Sequence, residues 1–177
     1  MSHRREPTRR ALVLGMLAAA GLGLAGCQIR PLYGTLPSGG TVRDDTRAIR
    51  IEAATTRVGQ ELRNELIFAF TGGGSAAAQP LYSLRIVLSE HESAVGVEKL
   101  ADVPAAYFIL VRASFVLTEI ATGTTVLSGS SFASASYDFS TQRFANLRAK
   151  RDAEDRAVKV ISDDIRTRIA AHFATAG

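Results

Sequence analysis

The sequence predicts an α+β domain: a two-layer sandwich of two amphipathic helices on one face of a mostly antiparallel four-stranded sheet, in the order β-α-β-β-β-α. Three observations lead there. Two segments carry apolar residues every three to four positions, several others alternate with a period of two, and a short Gly-containing turn joins two of the alternating runs. Amphipathic helices and a half-buried sheet cover their apolar faces most simply by stacking on each other.

Thr46 to Ala53 alternates, with Ile49 and Ile51 on one face, and reads as a short first strand. From Arg57 to Phe70, Val58, Leu62, Leu66, Ala69 and Phe70 fall at helical spacing. Thr56 is placed to cap that helix, and Gly72-Gly73-Gly74 supplies residues that accept the left-handed conformation at its end. Leu81 to Glu90 puts Tyr82, Leu84, Ile86 and Leu88 on one side, the pattern of a half-buried strand. His91 to Ala106, with Gly96 and Pro104, reads as a long connection. Tyr107 to Ile120 and Thr125 to Tyr137 form a hairpin about Thr122-Gly123-Thr124, the second strand ending in a Ser/Ala alternation. Between Gln142 and Ala174, Leu147, Val158, Ile161, Ile165, Ile169 and Phe173 recur at helical spacing. Lys150 with Glu154 and Asp155 with Lys159 stand four apart, where opposite charges support an exposed helix face.

The N-terminus has a different composition. Arg4, Arg5, Arg9 and Arg10 precede an uncharged stretch, Ala11 to Gly26, that ends in Leu24-Ala25-Gly26-Cys27. A basic region, a short apolar run and small residues before a cut make a secretory signal. Leu-Ala-Gly-Cys is also a lipobox, whose Cys receives a diacylglycerol and then an N-acyl chain. The expected organisation is a signal at residues 1–26, a lipidated N-terminus and Pro/Gly-rich tether at 27–45, and one domain at 46–177. Thr8-Arg9-Arg10-Ala11-Leu12-Val13 resembles a twin-arginine signal as well. Gln28 follows the lipid-bearing Cys in place of the Asp that retains lipoproteins in the inner membrane, so the outer membrane, facing the periplasm, is the expected site.

Removing residues 1–26, with their four Arg and one Glu, leaves 17 basic and 16 acidic side chains in 151 residues. The mature chain is close to neutral, and its basicity is no sign of nucleic-acid binding. Cys27 is the only Cys, so neither an intramolecular disulfide nor a Cys-based metal site is available. His91 and His172, 81 residues apart, make no short ligand pattern. There is no Gly-x-Ser-x-Gly elbow or Ser-x-x-Lys motif, so no catalytic residue is assigned and no enzyme is expected. Asp163 and Asp164 diverge by about 100° on a helix and read as solvated surface. Arg143, Arg148, Lys150 and Arg151 cluster at the start of the last helix, where cations oppose the helix dipole and an anionic partner is conceivable.

Cys27-Gln28-Ile29-Arg30-Pro31-Leu32-Tyr33-Gly34, then Tyr137-Asp138-Phe139, Phe144-Ala145-Asn146 and the run Ala149 to Ala157, resemble the lipopolysaccharide-assembly lipoprotein LptE (RlpB-like) family, particularly its alphaproteobacterial members. The resemblance implies a non-catalytic plug and assembly partner of the outer-membrane β-barrel LptD that takes part in delivering lipopolysaccharide to the outer leaflet. It also implies lipopolysaccharide contact through basic residues, which loose alignment puts at Lys150 and Lys99, and anchorage in the inner leaflet of the outer membrane through Cys27. No other cofactor is implied. A second reading keeps anchor and domain but assigns them to another envelope lipid-transport or cell-wall complex.

Overall fold

The computed structural model describes residues 41–98 and 103–176. In chain order these form α1 (Val42–Arg47), β1 (Ile49–Ile51), α2 (Arg57–Thr71), β2 (Tyr82–Glu98), β3 (Val103–Glu119), β4 (Thr125–Asp138) and α3 (Arg143–Ala176). The sheet runs β1-β2-β3-β4. β2-β3 and β3-β4 are antiparallel, as expected, while β1 runs parallel to β2, so the sheet is mixed. α2 makes the right-length crossover between those two parallel strands.

Two boundaries differ from the sequence reading. Residues 42–47, assigned to the tether and the first strand, are helical. Thr41 caps them by accepting the amide of Asp44, Asp44 and Asp45 sit in the first turn, and Val42 and Thr46 are buried. Six residues are too few for a periodic signal to register. The supposed connection from His91 to Ala106 is mostly strand: β2 and β3 pair from Tyr82↔Glu119 to Glu98↔Val103. Pro104 is accommodated because β4 begins its pairing with β3 only at Ala106, so the missing amide costs no ladder bond on that side.

Cross-strand partners share a face, and one face of the sheet carries the core. Leu84 on β2, Ile109, Val111, Ala113, Phe115 and Leu117 on β3, and Ala133 and Ala135 on β4 are buried beneath the helices. α2 contributes Val58, Leu62, Leu66 and Phe70, and α3 contributes Ala153, Ala157, Val158, Ile161, Ile165 and Ile169. The Ser/Ala alternation of β4 has a packing reason: Ala133 and Ala135 point at α3 while Ser134 and Ser136 point away, which lets the helix approach the strand closely. Gly129 takes this furthest, since a Cβ there would stand 2.8 Å from Cζ of Phe115, its partner across the ladder. At the other end of α2, Gly72 closes the helix with φ 65° and donates its amide to the carbonyl of Phe68.

An ion cluster joins the two long helices. Arg57, in the first turn of α2, donates to Glu154 and, at 2.9 Å, to Asp155 of α3. The Glu154 side chain is only 6% exposed, so its charge depends on that partner. The intrahelical pairs expected at Lys150–Glu154 and Asp155–Lys159 do not form, because Arg57 claims both acids. The i,i+4 pairs present are Asp152–Arg156 and Asp164–Arg168, while Asp163 pairs with Arg166. The two adjacent Asp residues thus serve separate arginines on the helix surface.

Gly129→Val should destabilise the domain by about 1–3 kcal/mol through overpacking against Phe115, measured as a lowered urea midpoint with the slope unchanged. Arg57→Ala should cost about 1–3 kcal/mol by leaving a buried carboxylate unpaired. Pairing Arg57→Met with Glu154→Leu should recover most of that loss in the same assay.

Candidate functional site

Near the start of α3 the sheet extends past the helical layer, and an open groove of about 640 Å³ lies between them. The cross-strand partners Tyr107 and Tyr137 form its floor, with ring centroids 5.3 Å apart and planes 17° from parallel. Phe139 leans on Tyr107 with centroids 6.3 Å apart. Arg143, Phe144, Leu147 and Lys150 enter from α3, and Glu92 from β2.

The turn into α3 is held by Asn146. Its Oδ1 accepts the Ser140 amide at 2.7 Å, and its Nδ2 donates to the Ser140 carbonyl at 2.6 Å. This two-point clamp fixes the first helical turn against the end of β4. Arg143 and Phe144 therefore stand at the mouth of the groove, with Phe144 81% exposed.

Glu92 is the hub of the polar contacts. Lys150 Nζ donates to its Oε2 at 2.7 Å and Tyr137 Oη to its Oε1 at 2.5 Å. Burial opposes ionisation of Glu92, but those two hydrogen bonds and the Lys150 charge outweigh it and hold the carboxyl below the usual carboxylate range. In return, the Glu92 hydrogen bond holds the Lys150 ammonium above its ordinary value against partial burial. Burial, then the bond to Glu92, pushes the Tyr137 phenol up. Glu90, two residues back on the same strand face, is raised by burial and by Glu154. Lys150 is consequently a charged donor at neutral pH, surrounded by acids.

Of the residues singled out from sequence, Lys150 lines this groove, while Lys99 and Cys27 lie outside the described residues. Arg143 joins Lys150 there, whereas Arg148 and Arg151 are exposed and do not line it. Sequence reasoning did not single out Glu92 or Tyr107 and quoted Tyr137, Phe139, Phe144 and Asn146 only within family-like motifs. The hairpin was a usable signal, but counting back from Thr118↔Thr125 pairs Tyr107 with Ser136. A register shift between Leu117 and Thr118 brings Tyr107 opposite Tyr137 instead.

The groove offers an aromatic floor, two cations and one acid, an arrangement that can hold an anionic amphiphile. Among the described residues no helix is long and apolar enough to cross a membrane.

Comparison with known proteins places this arrangement. Among solved structures, a lipoprotein from Caulobacter crescentus CB15 superposes with a TM-score of 0.63 at 22% identity, over 76% of this chain and 96% of its own. A minor lipoprotein from Acinetobacter baumannii gives 0.53 at 15% identity, over 71% and 90% of the two chains. Lipoprotein B from Nitrosomonas europaea gives 0.52 at 14%, over 72% and 83%. These likenesses establish a shared fold. No curated protein sequence matches the chain. The family model for lipopolysaccharide assembly, LptE, matches residues 46–169, from the end of α1 through most of α3 and including every residue of the groove. The chain belongs to the LptE lipopolysaccharide-assembly family.

Proposed function

We propose that the chain is an outer-membrane lipoprotein, held to the inner leaflet by acyl chains on Cys27 and facing the periplasm. In this reading it plugs the LptD β-barrel, assists its assembly and takes part in delivering lipopolysaccharide to the outer leaflet. It acts as a non-enzymatic accessory. The observation that carries the proposal is the family match across nearly the whole domain. The groove supports it: a lipopolysaccharide combines phosphates with sugars and acyl chains, and the groove combines Lys150 and Arg143 with Tyr107, Tyr137 and Phe139. Two or three acyl chains at about 0.8 kcal/mol per buried methylene would make the Cys27 anchor durable. Barrel lumens are polar, which suits a mature chain whose charges nearly balance.

The decisive experiment is a C-terminal tag, solubilisation of the outer membrane in mild detergent, and mass spectrometry of what co-purifies in stoichiometric amount. A single large β-barrel with lipopolysaccharide is expected. An inner-membrane transporter or a cell-wall synthase in its place would overturn the proposal in favour of the accessory-lipoprotein reading. Cys27→Ala should abolish incorporation of labelled palmitate and remove the chain from the outer-membrane fraction.

Lys150→Met should weaken lipopolysaccharide binding about three- to ten-fold, the scale of one typical net hydrogen bond, with circular dichroism unchanged. Methionine is a cleaner probe than glutamate here, because an acid at this position would face Glu90, Glu92 and Glu154.

A further inference from the structure

In the structure both donors at the centre of the groove are already occupied. Lys150 Nζ and Tyr137 Oη each bind one oxygen of the same carboxylate, that of Glu92. Glu92 belongs to the long β2 strand, and Lys150 and Tyr137 come from α3 and β4, so three elements converge on one small anion. The Glu92 side chain remains 31% exposed and Lys150 38%, which leaves the contact open to exchange from the groove side. Arg143 lines the same groove and has no ion pair among the described residues. Beside them lies the stacked Tyr107–Tyr137 pair, with Phe139 at its edge.

We propose that Glu92 is a built-in stand-in for the ligand's anionic group, and that a phosphorylated sugar of lipopolysaccharide enters the groove by displacing it. A phosphate presents two oxygens side by side as a carboxylate does, and it carries more charge for Lys150, Tyr137 and Arg143 to meet. On displacement Lys150 and the Tyr137 hydroxyl turn from Glu92 to the phosphate, Arg143 adds the second cation, and the sugar ring lies on the aromatic floor. Tyr137 and Arg143 are thereby binding residues alongside Lys150. Glu92 sets the threshold: it keeps the cation from pairing with weaker anions, since any ligand must outcompete a carboxylate tethered in place. This inference rests on the lipopolysaccharide reading above and assigns its anion-binding residues.

The test uses the full-length lipidated chain in detergent, titrated with lipopolysaccharide and, separately, with enzymatically dephosphorylated lipopolysaccharide. Glu92→Gln should bind intact lipopolysaccharide roughly three- to five-fold tighter than the native chain, the scale of a half-exposed ion pair. The dephosphorylated ligand should show no such gain. Tyr137→Phe and Arg143→Gln should each weaken binding of the intact ligand, and thermal melts of all three variants verify folding. If Glu92→Gln binds no tighter while Lys150→Met and Arg143→Gln bind more weakly, the displacement proposal fails and the lipopolysaccharide site stands. Equal gains with both ligands would also overturn it, because the exchange would not depend on phosphate. If every variant binds like the native chain, the groove is not the lipopolysaccharide site, and that outcome is separable from the barrel partnership, which co-purification tests independently.

Discussion

The close approach of α3 to β3 and β4 is the constraint on which the other features depend. A helix can lie this near a sheet only where the strand beneath it offers small side chains, and Gly129, Ser131, Ala133 and Ala135 form that track along β4. β3 fills the space between with its larger row from Ile109 to Leu117, and α3 answers with Ala153 and Ala157 nearer its start and isoleucines further along. Once α3 is seated, α2 has one place left, beside it on the same face. Its first turn then meets the acids of α3 through Arg57. The groove follows from the same geometry, because α3 starts before the sheet ends and its first two turns stand over strands that no other helix covers.

Most of the architecture was legible in the residues, and the parts that were not share a physical cause. Periodicity reports a helix or strand only where one face is buried and the other is wet. It therefore found α2, α3, the first part of β2 and the β3-β4 hairpin, including Thr56 and Gly72 at the ends of α2. It lost β2 after Glu90, since that stretch extends past the helical layer and nothing obliges either of its faces to be apolar. It lost α1 because six residues span fewer than two turns.

The site was less legible than the fold. Lys150 stood out from a basic cluster and from a resemblance, and the acid it pairs with, Glu92, lies 58 residues away. Local rules favoured Glu154, four positions on, but Arg57 from another helix takes that acid. A single register shift in the hairpin decides which face Tyr137 occupies, and a one-residue slip would have turned its ring to the opposite side of the sheet. Such irregularities leave little trace in a pattern of apolar and polar residues.

The lengths of β2 and α3 bear on how the domain can be housed. Seventeen strand residues span about 56 Å and thirty-four helical residues about 51 Å. The apolar band of an outer-membrane barrel is about 25 Å tall. A body of that length standing along a barrel axis projects well beyond the membrane, so its two ends experience different surroundings. The groove lies towards one of those ends, at the opening turns of α3. Under the proposed barrel reading, the direction of insertion would therefore decide whether the groove is sheltered inside a lumen or bathed in the periplasm.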